Sequence, residues 1–189
     1  MAWPEKINAD VEKGGHSVDG YALQGYPEVS IEAVELTDAQ KDLDWRTKTG
    51  YIGLELSVDG APLKRALAQD ILRGAMVFEA LDGPEVVAAT KTQIASVLDV
   101  IYGEAAAKQE LGVVWGGTVP ELRVWAPTAT DVKLQLFKNG ATTPEVLDAD
   151  WDDASGTWAV AGKADWQNAE YLWQIDVYVP SEGEVVTNV

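Results

Sequence analysis

The sequence predicts an all-β chain built as two consecutive β-sandwich, immunoglobulin-like modules, with a few short helices in the first. Three observations predict this. Apolar residues recur with period two in short runs bounded by turn residues. Helical spacing is clear only in the first part of the chain, ahead of residue 104. Tryptophan divides the halves: of eight, six (Trp115, Trp125, Trp151, Trp158, Trp166 and Trp173) follow residue 111.

In the first half, Val29, Ile31 and Ala33 alternate with polar neighbours, as do Ile52, Leu54 and Leu56, and both runs predict strands. Between them Thr37-Asp38-Ala39-Gln40 has capping-box spacing, Thr to Gln at the third residue onward, which predicts one or two helical turns. Leu63, Ala66, Leu67 and Ile71 fit a short amphipathic helix after Pro62, ended by Arg73-Gly74. Ala75 to Ala80 and Val86 to Thr90 flank Asp82-Gly83-Pro84 and read as a hairpin. Ile94, Val97, Leu98 and Ile101 occupy i, i+3, i+4 and i+7, one face of a helix, and Gly103 stands where its C-cap is expected. Glu104 to Glu110 is the expected connection between a module over residues 1–108 and one over 109–189.

In the second half, Leu122 and Val124 alternate with Arg123 and Trp125 until Ala126-Pro127 stops the run. Val132, Leu134 and Leu136 alternate with Lys133, Gln135 and Phe137, and Asn139-Gly140 supplies a turn whose residues tolerate positive φ. Trp158 and Val160 mark a short strand after Ser155-Gly156. Tyr171, Trp173, Ile175 and Val177 share one face of a longer strand, and Pro180 to Gly183 turns the chain into Val185-Val186.

Composition narrows the function. Net charge is −17, spread evenly: residues 1–111 carry 10 basic and 19 acidic side chains, residues 112–189 carry 4 and 12. Such a chain repels phosphate backbones, so nucleic acid and anionic membrane are excluded as partners, whereas neutral sugars are not. No run reaches the ~18 consecutive apolar residues of a membrane helix, and no secretory signal is visible after Met1. With no cysteine, disulfides and thiol catalysis are excluded.

No catalytic constellation emerges. His16, the single histidine, follows two glycines and reads as a solvated loop residue without triad or metal partners. P-loop, dinucleotide, HExxH and paired-cysteine patterns do not occur. Asp148, Asp150 and Asp152 match the first three alternating ligand positions of a calcium loop. The sixth position is Asp153 instead of glycine and the twelfth is Ala159 instead of Glu, which excludes an EF-hand. A solvated acidic loop is the expectation, with an incidental calcium site as its alternative and no other cofactor. Sugar-binding surfaces need exposed flat rings, because pyranose C–H faces stack on them. Trp151 in the acidic segment and Trp166 in Asp165-Trp166-Gln167-Asn168 are the candidate rings, while Trp125, Trp158 and Trp173 are expected in the core.

Leu111-Gly112-Val113-Val114-Trp115, then Leu122-Arg123-Val124-Trp125-Ala126-Pro127-Thr128-Ala129-Thr130-Asp131-Val132, resembles the family 48 carbohydrate-binding module of type I pullulanases and limit dextrinases. Gly156-Thr157-Trp158, Asp165-Trp166 and Tyr171-Leu172-Trp173 through Pro180 are similar to that module's later strands, in the same order. Trp3-Pro4, Gly50-Tyr51 and Val97-Leu98-Asp99 more loosely resemble the β-rich domain upstream of it, entered after that domain's usual first strand. The resemblance implies a secreted or cell-surface bacterial parent of glycoside hydrolase family 13, which hydrolyses α-1,6 linkages in pullulan, starch or glycogen. Its catalytic barrel is expected beyond residue 189, so no catalytic residue carries over and this chain alone is read as non-catalytic.

Related glycogen-binding modules place stacking tryptophans after the strand that here ends at Phe137 and on the final hairpin. Here those regions read Lys138-Asn139-Gly140-Ala141 and Gly183-Glu184-Val185, without either ring. The residues left to contact glucan are Trp151, Trp166, Lys138 and Asn139. Three readings compete: a module binding or presenting α-glucan; a structural module packed on its own catalytic barrel; and a generic immunoglobulin-like interaction module. A flat platform of exposed tryptophans distinguishes the first, and a large exposed apolar patch the second.

Overall fold

The computed structural model describes residues 6–12, 29–34, 37–38, 42, 53–58, 61–82, 85–91, 93–179 and 182–189. Trp3-Pro4, His16 and Gly50-Tyr51 lie outside these, as do Ala39-Gln40 of the capping box. Asp38 and Asp42 are helical, just after Thr37.

The first half runs β1 (Lys6–Glu12), β2 (Val29–Val34), β3 (Gly53–Val58), β4 (Ala61–Pro62), α1 (Arg65–Ile71), β5 (Ala75–Asp82), β6 (Glu85–Lys91) and α2 (Ala95–Ala106). Two three-stranded antiparallel sheets result, ordered β1-β5-β6 and β2-β3-β4. The expected hairpin is β5–β6, closed with Asp82 opposite Glu85 and a register shift between Ala80 and Leu81. α2 buries Leu98 and Tyr102. It does not stop at Gly103. The strong helix formers Glu104, Ala105 and Ala106 carry it one turn further, Lys108 pairs with Glu104 at 2.8 Å, and the last helical position is followed by Ala107 in right-handed geometry.

The second half runs β7 (Gly112–Gly116), β8 (Val119–Trp125), β9 (Ala129–Phe137), β10 (Glu145–Asp148), β11 (Asp150–Asp152), β12 (Thr157–Ala161), a 3₁₀ turn (Ala164–Trp166), β13 (Glu170–Val179) and β14 (Glu184–Asn188). One antiparallel sheet is ordered β10-β9-β13-β14 and the other β11-β12-β8-β7. Among the described residues no ladder joins either to a sheet of the first half. The fold is therefore all-β sandwich with few helices, as the alternation predicts.

Period-two patterning fills the space between these two sheets. Leu122 and Val160 from one sheet meet Leu134 and Leu136 from the other, with Trp166 among them. Nearer the other end, Trp158 packs with Ala129 and Val132, and Trp173, Ile175 and Val177 close around it. Trp158 Nε1 donates to the Ala126 carbonyl at 3.0 Å, so the buried indole is satisfied.

A bulge keeps β9 in phase with the core: Asp131 faces Asp176 but Ala129 faces Val177, leaving Thr130 as the extra residue. Its hydroxyl donates to the Asp176 carbonyl at 3.1 Å. Asn139 and Gly140 take φ of 55° and 73°, as their sequence predicts, and Ala141 N–H closes that turn on Lys138 O at 3.0 Å.

Candidate functional site

The two candidate rings are not on the surface. Trp166 is 3% exposed and lies between the sheets. The 3₁₀ turn drops it inward beside Gly162, where an added Cβ would come within 2.6 Å of the Pro120 carbonyl oxygen and 2.9 Å of the Trp166 ring. The expectation of a solvent-facing Trp166 is thereby corrected: the dipeptide Asp165-Trp166 alternates outside and inside, and the ring fills core volume.

Trp151 is half-buried and also fails to form a free platform. It opposes Trp158 across the β11–β12 ladder, with ring centroids 5.1 Å apart. The Tyr102 ring meets its edge at 6.1 Å, and the Arg73 guanidinium lies 4.6 Å from its ring centre. Both flat surfaces that a sugar needs are thus contested by protein.

The calcium-loop acids are not brought together either. Asp148 ends β10, in the sheet of β9, whereas Asp150 and Asp152 belong to β11, in the sheet of β12. The chain changes sheets at Ala149, whose N–H bonds Val132 O at 3.0 Å. Asp148 pairs with Lys133. Asp152 accepts the Ser155 hydroxyl at 2.6 Å and the Ala154 N–H at 3.1 Å. Those bonds, the Ser155 hydroxyl first, hold its carboxyl below the usual carboxylate range. Among the described residues no group of three His, Cys, Asp or Glu is placed to hold a metal ion. The segment expected as a solvated acidic loop is two strands and a tight turn.

Lys138 reaches Glu145 at 2.9 Å and Asp165 at 3.2 Å, which raises its pKa, the Glu145 bond contributing most. Asn139 is exposed at the tip of the turn. Both residues cap one end of a surface that sequence reasoning did not single out, the outer face of the β10-β9-β13-β14 sheet. Because Val132, Leu134 and Leu136 point inward, Lys133, Gln135 and Phe137 point outward. Gln135 stands opposite Val146 on one side and Leu172 on the other. Val146 and Leu172 are 53% and 49% exposed. Gln135 Nε2 donates to Gln174 Oε1 at 3.0 Å across the strands. Lys133 bridges Asp131 at 3.0 Å and Asp148 on this face. The signal was available in sequence as the polar half of the alternation.

On β7–β8 Leu111, Val113, Trp115, Val119 and Trp125 are all exposed, but on opposite faces: Val113 and Trp115 stand opposite Leu122 and Pro120 on the core-facing side, and Val119 and Trp125 lie on the other. Trp125 is 37% exposed, contrary to its expected place in the core, because Leu122 and Val124 take the inward positions of β8. Its Nε1 donates to Ser155 O at 3.0 Å, which fixes the ring's edge. Trp158 and Trp173, by contrast, pack in the core as expected.

Residues 110–187 match the family described as carbohydrate-binding module 48 (isoamylase N-terminal domain). A pullulanase of Klebsiella pneumoniae is 31% identical over 121 residues, which are 64% of this chain and 11% of that protein. Pullulanase 1, chloroplastic, of Arabidopsis thaliana is 24% identical over 120 residues, 63% of this chain and 12% of that protein. The chain thus spans about a tenth of the length of these curated relatives. The crystal structure of PulA from Klebsiella oxytoca superposes with a TM-score of 0.81 at 23% identity, covering 98% of this chain and 17% of that one. The maltotriose complex of PulA from Klebsiella pneumoniae gives 0.81 at 22% identity, covering 98% and 19%. At those identities the superpositions establish the fold.

Proposed function

We infer that this chain, a pullulanase-like N-terminal region bearing a carbohydrate-binding module 48, presents α-glucan without cutting it, on the outer face of the β10-β9-β13-β14 sheet. The observation that supports this reading most directly is the row Val146–Gln135–Leu172. Two exposed apolar side chains flank an amide pair, Gln135–Gln174, with spare donors and acceptors. A glucose ring offers apolar C–H patches and hydroxyls, and a row of uncharged side chains suits a neutral ligand. Asn139 extends the face at one end. The parent, on this reading, is an exported α-1,6-debranching glycoside hydrolase acting on pullulan, starch or glycogen. Residues 1–108 form its upstream β-rich module and residues 109–189 the binding module.

Calorimetric titration with maltoheptaose and β-cyclodextrin tests it. The expected result is weak, measurable binding that Leu172→Ala or Gln174→Ala abolishes while Trp151→Ala and Trp166→Ala act only through stability. No heat at millimolar ligand from the folded protein would refute glucan presentation.

The exposed run Leu111, Val113 and Trp115 at the β7 edge favours a second reading, in which the module also packs against the parent's catalytic barrel. Three exposed apolar side chains along one edge strand are unusual on a free surface. Within a whole parent enzyme, Val113→Ser with Trp115→Ser should then lower thermal stability, and no change in that enzyme would remove the reading.

A further inference from the structure

We propose that the segment Asp150–Gly156 of the second half is a docking socket for the helical face of the first half, so that the two parts unfold and move as one body. This goes beyond glucan presentation and does not depend on it. The partner it fits is a helix carrying donors at i, i+4 and i+8: Arg65, Gln69 and Arg73, the last in the turn after α1.

Arg65 and Gln69 donate to turn carbonyls, and Arg73 stacks on a ring. Arg65 Nη2 donates to Ala154 O at 3.2 Å and reaches Asp153 O at 3.4 Å. Gln69, almost fully buried, donates from Nε2 to Asp153 O at 3.0 Å. A buried amide needs such a partner, and turn carbonyls have no ladder to satisfy them. Arg73 lies over the Trp151 ring at 4.6 Å, close enough for a cation–π contact. Two of the chain's fourteen basic residues therefore face a turn flanked by Asp150, Asp152 and Asp153, so charge complementarity favours the same pairing.

α2 supplies the apolar part. Leu72, Leu98 and Tyr102 are buried together, with Ile94, Ile101 and Trp151 packed against them. Trp151 is thus shared between this cluster and the sandwich core around Trp158. Gly156 makes the approach feasible. A Cβ there would lie 2.9 Å from Tyr102 Cδ1 and 3.0 Å from Pro127 Cβ, and its φ of +70° is one that side chains resist.

The socket is preformed from within the second half. Asp152 holds Ala154 and Ser155, Ser155 Oγ lies 2.8 Å from Thr157 Oγ1, and Arg123 Nη1 donates to Thr157 Oγ1 at 3.1 Å. The helices therefore meet a rigid surface, and docking costs little ordering entropy.

Hydrogen exchange on the full chain tests this, comparing amides of α2 with those of β12 in the parent sequence and in Arg65→Ala/Gln69→Ala. Arg65 is exposed, so its single variant Arg65→Ala serves as the milder perturbation if the pair proves too destabilising. One body predicts that the most protected amides of α2 and β12 exchange within about threefold of each other. In the double variant α2 should exchange at least tenfold faster, with a smaller change in the same direction for Arg65→Ala, while β12 keeps its protection. Protection of α2 that is orders of magnitude below β12 in the unaltered chain, or α2 exchange unchanged by both variants, would overturn the proposal.

Discussion

Two pairs of tryptophans in the second half met opposite fates. Trp151 and Trp166, in acidic and polar contexts, are drawn inward, whereas Trp115 and Trp125, in apolar strand-like contexts, stand 47% and 37% exposed. Local polarity thus misleads about a ring's exposure. What decides is the parity of the strand and whether anything lies opposite. Trp151 pairs with Trp158, and their common face is closed by Tyr102 from the other half of the chain. Trp125 shares its strand with Leu122 and Val124, and they occupy the core positions.

The comparison can be broken by deleting rings in turn. Trp166→Ala removes a fully enclosed indole and should cost about 3–5 kcal/mol, read from the midpoint of denaturant unfolding. A loss below about 1 kcal/mol would place Trp166 outside the core. Trp151→Ala should cost roughly 1–3 kcal/mol, because its ring is only half enclosed but serves two clusters. Trp125→Phe keeps an aromatic ring, though a smaller one, and removes the donor to Ser155 O, so about 1 kcal/mol is expected. Cooperative unfolding unchanged by that substitution would leave the Ser155 turn independent of Trp125.

Acid sharpens the same contrast at the Asp152 turn. The folded pKa of Asp152 is lowered, so its contribution is present above the unfolded value of about 4. It is lost as pH falls through the lower folded value. The stability difference between the unaltered chain and Asp152→Asn should therefore shrink below about pH 4, and a constant difference across that window would contradict the assigned bonds. The smallest effect is expected for Trp115→Ser, within about 0.5 kcal/mol of zero in this chain, and a large loss would mean that Trp115 is covered.

Much of this was legible beforehand. The alternation in Val132 to Phe137 and Tyr171 to Val177 identifies β9 and β13, and even their outer faces, once the inward set is known. Asn139-Gly140 announces its turn by chemistry alone, and Ile94, Leu98 and Ile101 announce the packed face of α2, although Val97, expected on the same face, stands 43% exposed. Ile7, Ala9 and Val11 alternate too, a weaker signal for β1 because Asn8, Asp10 and Glu12 make the run polar. Gly103 misled because a lone glycine is tolerated inside a helix when strong formers follow it. The regular Asp spacing from 148 to 152 misled more deeply, since it straddles a change of sheet at Ala149 that no local pattern encodes.

By itself, then, the sequence determined the class of fold, the inward residues Val132, Leu134 and Leu136 of β9, the absence of cysteine chemistry and the acidic composition that disfavours nucleic acid. These follow from period, composition and turn chemistry, which act over a few residues. Only the tertiary structure decided which tryptophans are reachable, that the three spaced aspartates part company, and that Arg65 and Gln69 meet a turn more than eighty residues away. Those outcomes depend on what packs on the far side of a strand, and that partner comes from a distant part of the chain.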